Sequence, residues 1–287
     1  FGLSPAVCIC LVYVLDRKTA LRREIRTAVR IEIGYLIFLF VTIPCGIVFS
    51  VSADNIYSRG PHFYIYIVVY FGAILYLSAS TVITAREFQN RSRLLIYPLI
   101  LFVMAETIIQ VALPELHVTW LCVTLLSVLY FIYCSEMWNQ LDALTGLLNQ
   151  NSYLKQTGGV RCKGGVLVVF DVDDFKQIND RYGHIQGDLC LAGIAECIKK
   201  SYANFGYCYR IGGDEFCVLL KNGGNEGRCK QEFLQRLQEK RGEIAFLPTV
   251  SYGSAPFSGE DIVKVKDRAD QDMYQYKKER KNRKRLS

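Results

Sequence analysis

Val166-Leu-Val-Val-Phe-Asp-Val-Asp-Asp174 decides how the C-terminal half of this chain is read. Its first five residues are apolar and largely β-branched, without the polar alternation of a half-exposed strand. Such a run suits a central strand covered on both faces. It ends abruptly in carboxylates. Downstream, Leu189, Ala192, Ile194, Ala195 and Ile198 recur at helical spacing after Gly187. Tyr207 to Ile211 and Phe216 to Leu220 then read as two strands joined by Gly212-Gly213-Asp214-Glu215, a tight-hairpin signal. An amphipathic helix carrying Phe233, Leu234 and Leu237 follows, then a strand near Thr249 to Ser254 and a last helix from about Glu260.

This order puts acids at two turns, one closing the buried strand and one at the hairpin tip. If the hairpin pairs beside the strand, Asp171 meets Asp214 and Glu215. Three like charges at one spot call for divalent cations. An all-oxygen donor set favours Mg²⁺, which completes its shell with substrate phosphates. Gly212 and Gly213 carry no side chains to keep a nucleotide from the backbone. Lys176, just past the strand, is within reach of a terminal phosphate, as are Lys277 and Lys281, which share a face at i and i+4 of the last helix. Metal and lysines around phosphate form the apparatus of nucleotidyl transfer. Each feature alone is ordinary, since Asp caps helices and Gly-Gly-Asp makes turns. Their conjunction carries the reading.

The N-terminal half differs in kind. Ile31 to Val51, Phe63 to Ile83, Leu94 to Leu113 and Trp120 to Trp138 each have about the 20 apolar residues that a membrane-crossing helix needs. Leu3 to Leu15 is shorter and reads as the end of a fifth, truncated span. Basic residues collect in alternate loops: six Lys/Arg in Asp16 to Arg30 and three in Thr84 to Arg93, against one in Ser52 to His62 and none in Pro114 to Thr119. The positive-inside rule then predicts a multi-pass protein of the inner (plasma) membrane with its C-terminal half in the cytoplasm. The domain boundaries expected are 1–138 for the membrane region and 139–287 for the cytoplasmic domain with its basic tail. Glu32, Glu106 and Gln110 are the polar residues inside the spans. For Glu106, a ligand or ion site and a helix-packing carboxyl both stay open.

The net charge of +7 is concentrated in Asp16 to Arg30 and in the tail Lys277 to Arg285. The rest is slightly acidic, which argues against nucleic acid as a partner and leaves membrane lipid as the tail's natural neighbour. The eleven cysteines form no CxxC pair or Cys/His metal spacing and read as reduced, mostly buried thiols.

The motifs together resemble one family. Asp142-Ala-Leu-Thr-Gly-Leu-Leu-Asn149, Phe170-Asp-Val-Asp-Asp-Phe-Lys-Gln-Ile-Asn-Asp180, Tyr182-Gly-His184, Gly187-Asp188 and Arg210-Ile-Gly-Gly-Asp-Glu-Phe216 match GGDEF-domain diguanylate cyclases in order and spacing. Ser251-Tyr-Gly253 and Ala269-Asp270, Met273-Tyr274 and Lys277 match the family's looser later motifs. The resemblance implies an α/β (α+β) ferredoxin-like nucleotidyl-cyclase domain following an α-helical transmembrane bundle. It also implies condensation of two GTP into cyclic di-GMP with release of two pyrophosphates, by a homodimer in which each domain holds one GTP.

By the same resemblance, Asp171, the Val172 carbonyl, Asp214 and Glu215 hold Mg²⁺, two ions per site, with Mn²⁺ an acceptable substitute. Asp214 is the candidate base at the ribose 3′-hydroxyl, and Glu215 and Lys176 complete the catalytic set. Asn179 and Asp188 read the guanine edge; Lys176, Lys277 and Lys281 hold phosphates; Phe175, Gly212 and Gly213 shape the pocket. Some positions depart from the family pattern. Ala203 and Gly206 stand where an Arg-x-x-Asp product site often lies, Gln150 replaces an arginine, and Asp272, Tyr276 and Arg280 replace small residues. A catalytically silent GGDEF-like domain, serving as nucleotide sensor or membrane signalling scaffold, is the alternative.

Overall fold

A computed structural model describes residues 3–15, 22–52, 57–87, 96–113, 119–158, 164–221 and 223–286. Its contacts divide the chain into two compact units, Phe1–Trp138 and Asn139–Ser287.

The first unit is helical: α1 (Leu3–Leu15), α2 (Arg22–Thr42), α3 (Tyr64–Glu87), α4 (Ile96–Ala112) and α5 (Thr119–Asn139), with a short hairpin of β1 (Phe49–Val51) and β2 (Tyr57–Arg59) between α2 and α3. Its core joins Cys8, Val12 and Leu15 of α1 to Tyr66, Tyr70 and Leu77 of α3. Thr81 and Tyr130 tie α3 to α5 through hydroxyls 2.9 Å apart. Tyr66 and Tyr70 stack on one another in that core, as packing residues.

Three helical segments are long and apolar enough to cross a membrane: Glu24–Cys45, Tyr64–Ala85 and Trp120–Asn139. The described bounds differ from those expected for two spans. The stretch expected as Ile31 to Val51 starts a helix at Arg22 and leaves it at Thr42, because Pro44 and the left-handed Gly46 (φ 58°) turn the chain into β1. The stretch expected as Leu94 to Leu113 yields the 17-residue α4. Residues 88–95, just before α4, lie outside those described. The loops used for orientation fall partly on residues outside those described.

The second unit is built on one antiparallel sheet. Its strands are β3 (Gly165–Val172), β4 (Gly206–Arg210), β5 (Glu215–Leu220) and β6 (Val250–Phe257), in the order β4-β5-β3-β6. The helices are α6 (Gln150–Thr157), α7 (Phe175–Tyr182), α8 (His184–Tyr202), α9 (Glu226–Glu243) and α10 (Ile262–Leu286). The connectivity from β3 to β6 is the βαββαβ pattern of ferredoxin-like domains, with the α7–α8 pair filling the first crossover.

Strand period explains the run at 166–170. Val166, Val168, Phe170 and Val172 face a core shared with Ile194 and Ile198 of α8 and Phe233 and Leu237 of α9. Leu167 and Val169 face the other core, shared with Val265 and Ala269 of α10 and Tyr153 of α6. Both faces of β3 are covered, so its sequence has no polar alternation. On the α10 face, a Cβ on Gly253 would lie 2.2 Å from the backbone of both Ala269 and Met273. Glycine there lets α10 lie directly against β6. Every cysteine among the described residues is a free thiol, and five of those in this unit are buried.

Candidate functional site

The acids assemble by register. Asp171, at the end of β3, stands directly opposite Glu215 on β5 and Ser251 on β6. Odd-numbered positions of β3 face α10, so the side chains of Asp171 and Glu215 share that face at the sheet's end. Asp214 joins them through its backbone, its carbonyl accepting the Val172 N–H at 3.2 Å. Arg210 braces the hairpin tip, donating to the Gly213 carbonyl at 2.7 Å and pairing with Asp142 at 3.0 Å. Burial alone would raise the Asp142 carboxyl. Hydrogen bonds from the Thr145 hydroxyl and N–H, with the Arg210 guanidinium, hold it below the usual carboxylate range. Asp142 and Arg210 open two of the motifs quoted above, yet sequence reading assigned neither a task.

Neither Gly212 nor Gly213 adopts a positive φ. A Cβ on Gly213 would meet nothing within 4 Å. Glycine at that position leaves open space above the backbone and relieves no strain.

Lys277 of α10 reaches the end of the sheet, where its ammonium bonds the Asp171 carboxylate and lies 3.4 Å from Asp173. Burial opposes its charge, but these two carboxylates hold the ammonium above the ordinary lysine range. Asp173 is the residue that sequence reasoning missed. Nearly buried, it accepts hydrogen bonds from Thr249 (2.8 Å) and Ser251 (2.7 Å) and pairs with Arg280 at 3.1 Å. The alternating Asp-x-Asp, two hydroxyls at the start of the facing strand and Arg280 three positions past Lys277 were its signal. The helix departures have places too: Asp272 accepts the Ser254 N–H, and Tyr276 packs on Tyr252 with ring centroids 4.5 Å apart. Gly206 lies so close to β5 that a Cβ would fall 2.3 Å from the Leu219 carbonyl oxygen.

A second cluster lies where β3 turns into α7. Asp174 holds a left-handed conformation (φ 53°, ψ 30°), which Asp tolerates better than most residues. The turn launches α7, carrying Phe175, the exposed Lys176 and Asn179. Asn179 meets α8 at Gly187, where a Cβ would lie 1.9 Å from its Oδ1 and 3.2 Å from the Phe175 ring. That Oδ1 is buried and has no hydrogen-bond partner. Asp188, next to Gly187, is exposed on α8. A buried acceptor beside an exposed carboxylate is an unfilled hydrogen-bonding edge. The side chain of Lys281 lies outside the described residues.

Among the described residues, no three His, Cys, Asp or Glu side chains gather closely enough to hold a metal ion. At Asp171 the countercharge is the Lys277 ammonium. The donor chemistry still suits a hard divalent cation: carboxylates of Asp171 and Glu215 across one ladder step, and Asp214 beside them.

The family model described as "Diguanylate cyclase, GGDEF domain" matches residues 139–283. "Diguanylate cyclase DgcS" of Shewanella oneidensis is 32% identical over 154 residues, covering 51% of this chain and 52% of that protein. "Diguanylate cyclase A" of Treponema denticola is 30% identical over 148 residues, covering 49% and 40%. The chain thus spans about half or less of the length of these two relatives. Among solved structures, the GGDEF domain of DgcB from Caulobacter crescentus in complex with c-di-GMP is 27% identical with a TM-score of 0.39, covering 48% of this chain and 90% of that one.

Proposed function

Since this chain belongs to the GGDEF family of diguanylate cyclases, we propose that it condenses two GTP into cyclic di-GMP as a homodimer, one nucleotide in each domain. The observation that carries the reading is the register pair of Asp171 and Glu215, with Asp214 tied to the same strand end.

In this reading Asp171, the Val172 carbonyl, Asp214 and Glu215 hold divalent cations, Mg²⁺ by the hardness of the donors. Bound there, the cation neutralises charge on the α-phosphate and the leaving pyrophosphate. Asn179 and Asp188 grip the guanine edge, offering the base's N–H groups a buried acceptor and a carboxylate. Lys277 exchanges Asp171 for substrate phosphate, Lys176 and Lys281 add charge around the leaving group, and open Gly213 admits the nucleotide. Asp214 takes the proton of the ribose 3′-hydroxyl. That oxygen then attacks the α-phosphorus of the partner's GTP, the bond to the bridging oxygen breaks, and pyrophosphate leaves. A second such step closes the ring.

The first unit acts as a multi-pass membrane anchor with the cyclase on the cytoplasmic side. Three apolar helices of spanning length and the basic loops support this.

The test is turnover. Residues 139–287 fused to a parallel dimeric coiled coil, given GTP and Mg²⁺, are expected to yield cyclic di-GMP and two pyrophosphates per product. Glu215→Gln is expected to lower kcat at least about 100-fold. GTP binding without product from the forced dimer would favour a silent, nucleotide-binding scaffold instead.

A further inference from the structure

Asp272, Tyr276 and Arg280 follow one another at four-residue steps on α10 and meet β6 at Ser254, Tyr252 and Val250 in turn. Four residues of helix rise about 6 Å and two of strand about 6.7 Å, so the contacts stay in step as the two elements run in opposite directions. β6 is an edge strand, and two of its backbone groups are taken up by α10. The Ser254 N–H donates to Asp272 at 2.9 Å, and Arg280 donates to the Val250 carbonyl at 3.3 Å. These contacts seat the stretch of α10 that carries Lys277.

Arg280 has a second contact. Its guanidinium lies 3.1 Å from one oxygen of Asp173, whose side chain is 9% exposed, and Lys277 lies 3.4 Å from the other oxygen. The Thr249 and Ser251 hydroxyls complete the shell of Asp173, but they are neutral and offset no charge. Arg241 of α9 lies nearby, bonded to the Pro248 carbonyl at 3.4 Å. Two cations, Lys277 and Arg280, thus face two carboxylates, Asp171 and Asp173. In the cyclase reading, substrate draws Lys277 to phosphate and Asp171 turns to a divalent cation. Asp173 then loses one of its two countercharges, and a nearly buried carboxylate left unpaired is strongly unfavourable. Arg280 is the cation that stays.

We infer that Arg280 is a positioning residue for nucleotide binding: by holding Asp173, it lets Lys277 move from the acids to a phosphate of the substrate. The inference rests on the cyclase reading for the identity of the nucleotide. It concerns binding, not the chemical step, so the two can fail separately.

The full chain in detergent micelles with Mg²⁺ is titrated calorimetrically with α,β-methylene GTP, whose bridge cannot be broken, and turnover of GTP is measured alongside. Arg280→Met keeps an apolar side chain of similar reach and removes its charge. It is expected to raise Kd about tenfold and KM in parallel, with kcat within about twofold of wild type. Arg280→Lys, which keeps the charge on Asp173, is expected to stay within about threefold of wild type in Kd. In an Asp173→Asn background there is no charge to hold, and R280M is expected to change Kd by less than about twofold. An unchanged Kd in R280M, an equal loss in R280K, or an undiminished effect beside D173N would each overturn the inference. If D173N fails to fold, the contrast between R280M and R280K decides. Binding by wild type without product would count against the cyclase reading alone, and the same Kd comparison would still judge Arg280.

Discussion

Asp173 and Gly187 show how positions inside the recognised motifs support the site although the sequence reading gave them no task. Asp173 gathers two hydroxyls and two cations at the end of β3, so the strand tip is fixed before any ligand arrives. Gly187 fixes the other cluster by having no side chain. Gly187→Ala would push Asn179 out of its seat, raising KM for GTP about tenfold while circular dichroism stays unchanged; steady-state kinetics of the forced dimer checks this. Asp142 gives a pH prediction. Its folded-state pKa is depressed, so its contribution is full above the ordinary carboxylate value of about 4 and is lost as pH falls through the lower folded value. Asp142→Asn is therefore expected to cost about 1–2 kcal/mol at pH 7, with the gap to wild type closing in acid, below the ordinary carboxylate range. Urea midpoints at the two pH values measure it.

At the scale of elements, legibility followed burial. The run at 166–170 could be read as a strand because both its faces are covered, and the hairpin because its two strands meet at Gly-Gly-Asp-Glu. α7 carries several of the expected ligand residues, yet eight residues with none buried offer no apolar period to read. Apart from Lys176, placed by its position just past the strand, only the resemblance pointed there. The Asp171–Glu215 pairing was legible as a condition, that the hairpin lie beside the strand, and register meets it. The Arg210–Asp142 brace was not, because its partners lie 68 positions apart. α2 misled for a local reason: Arg and Glu are good helix formers, so the helix begins in charged residues before the apolar ones. The contact of α10 with β6 yields its own prediction. Gly253→Ala forces a Cβ into the Ala269 and Met273 backbones, and is expected to cost about 3 kcal/mol in urea unfolding.

At the scale of the whole molecule, the chain joins an apolar helical unit to a charged α/β unit at Trp138. The three long apolar helices predict that it sediments with membranes, resists alkaline carbonate and is released only by detergent. Appearance in the carbonate supernatant would contradict the anchor. The sheet order also bears on how the chain matures during synthesis. The inner strand β3 has its outer neighbour β6 on a distant stretch, with Ser251 bonded to Asp173 from 78 positions downstream. Local contacts therefore cannot complete the sheet; the loop must close first, which makes such topologies slow to form. A ribosome adding about 5–20 residues per second takes several seconds to cover that interval. For that time the nascent β3 has an open edge, which its own chain cannot yet cover.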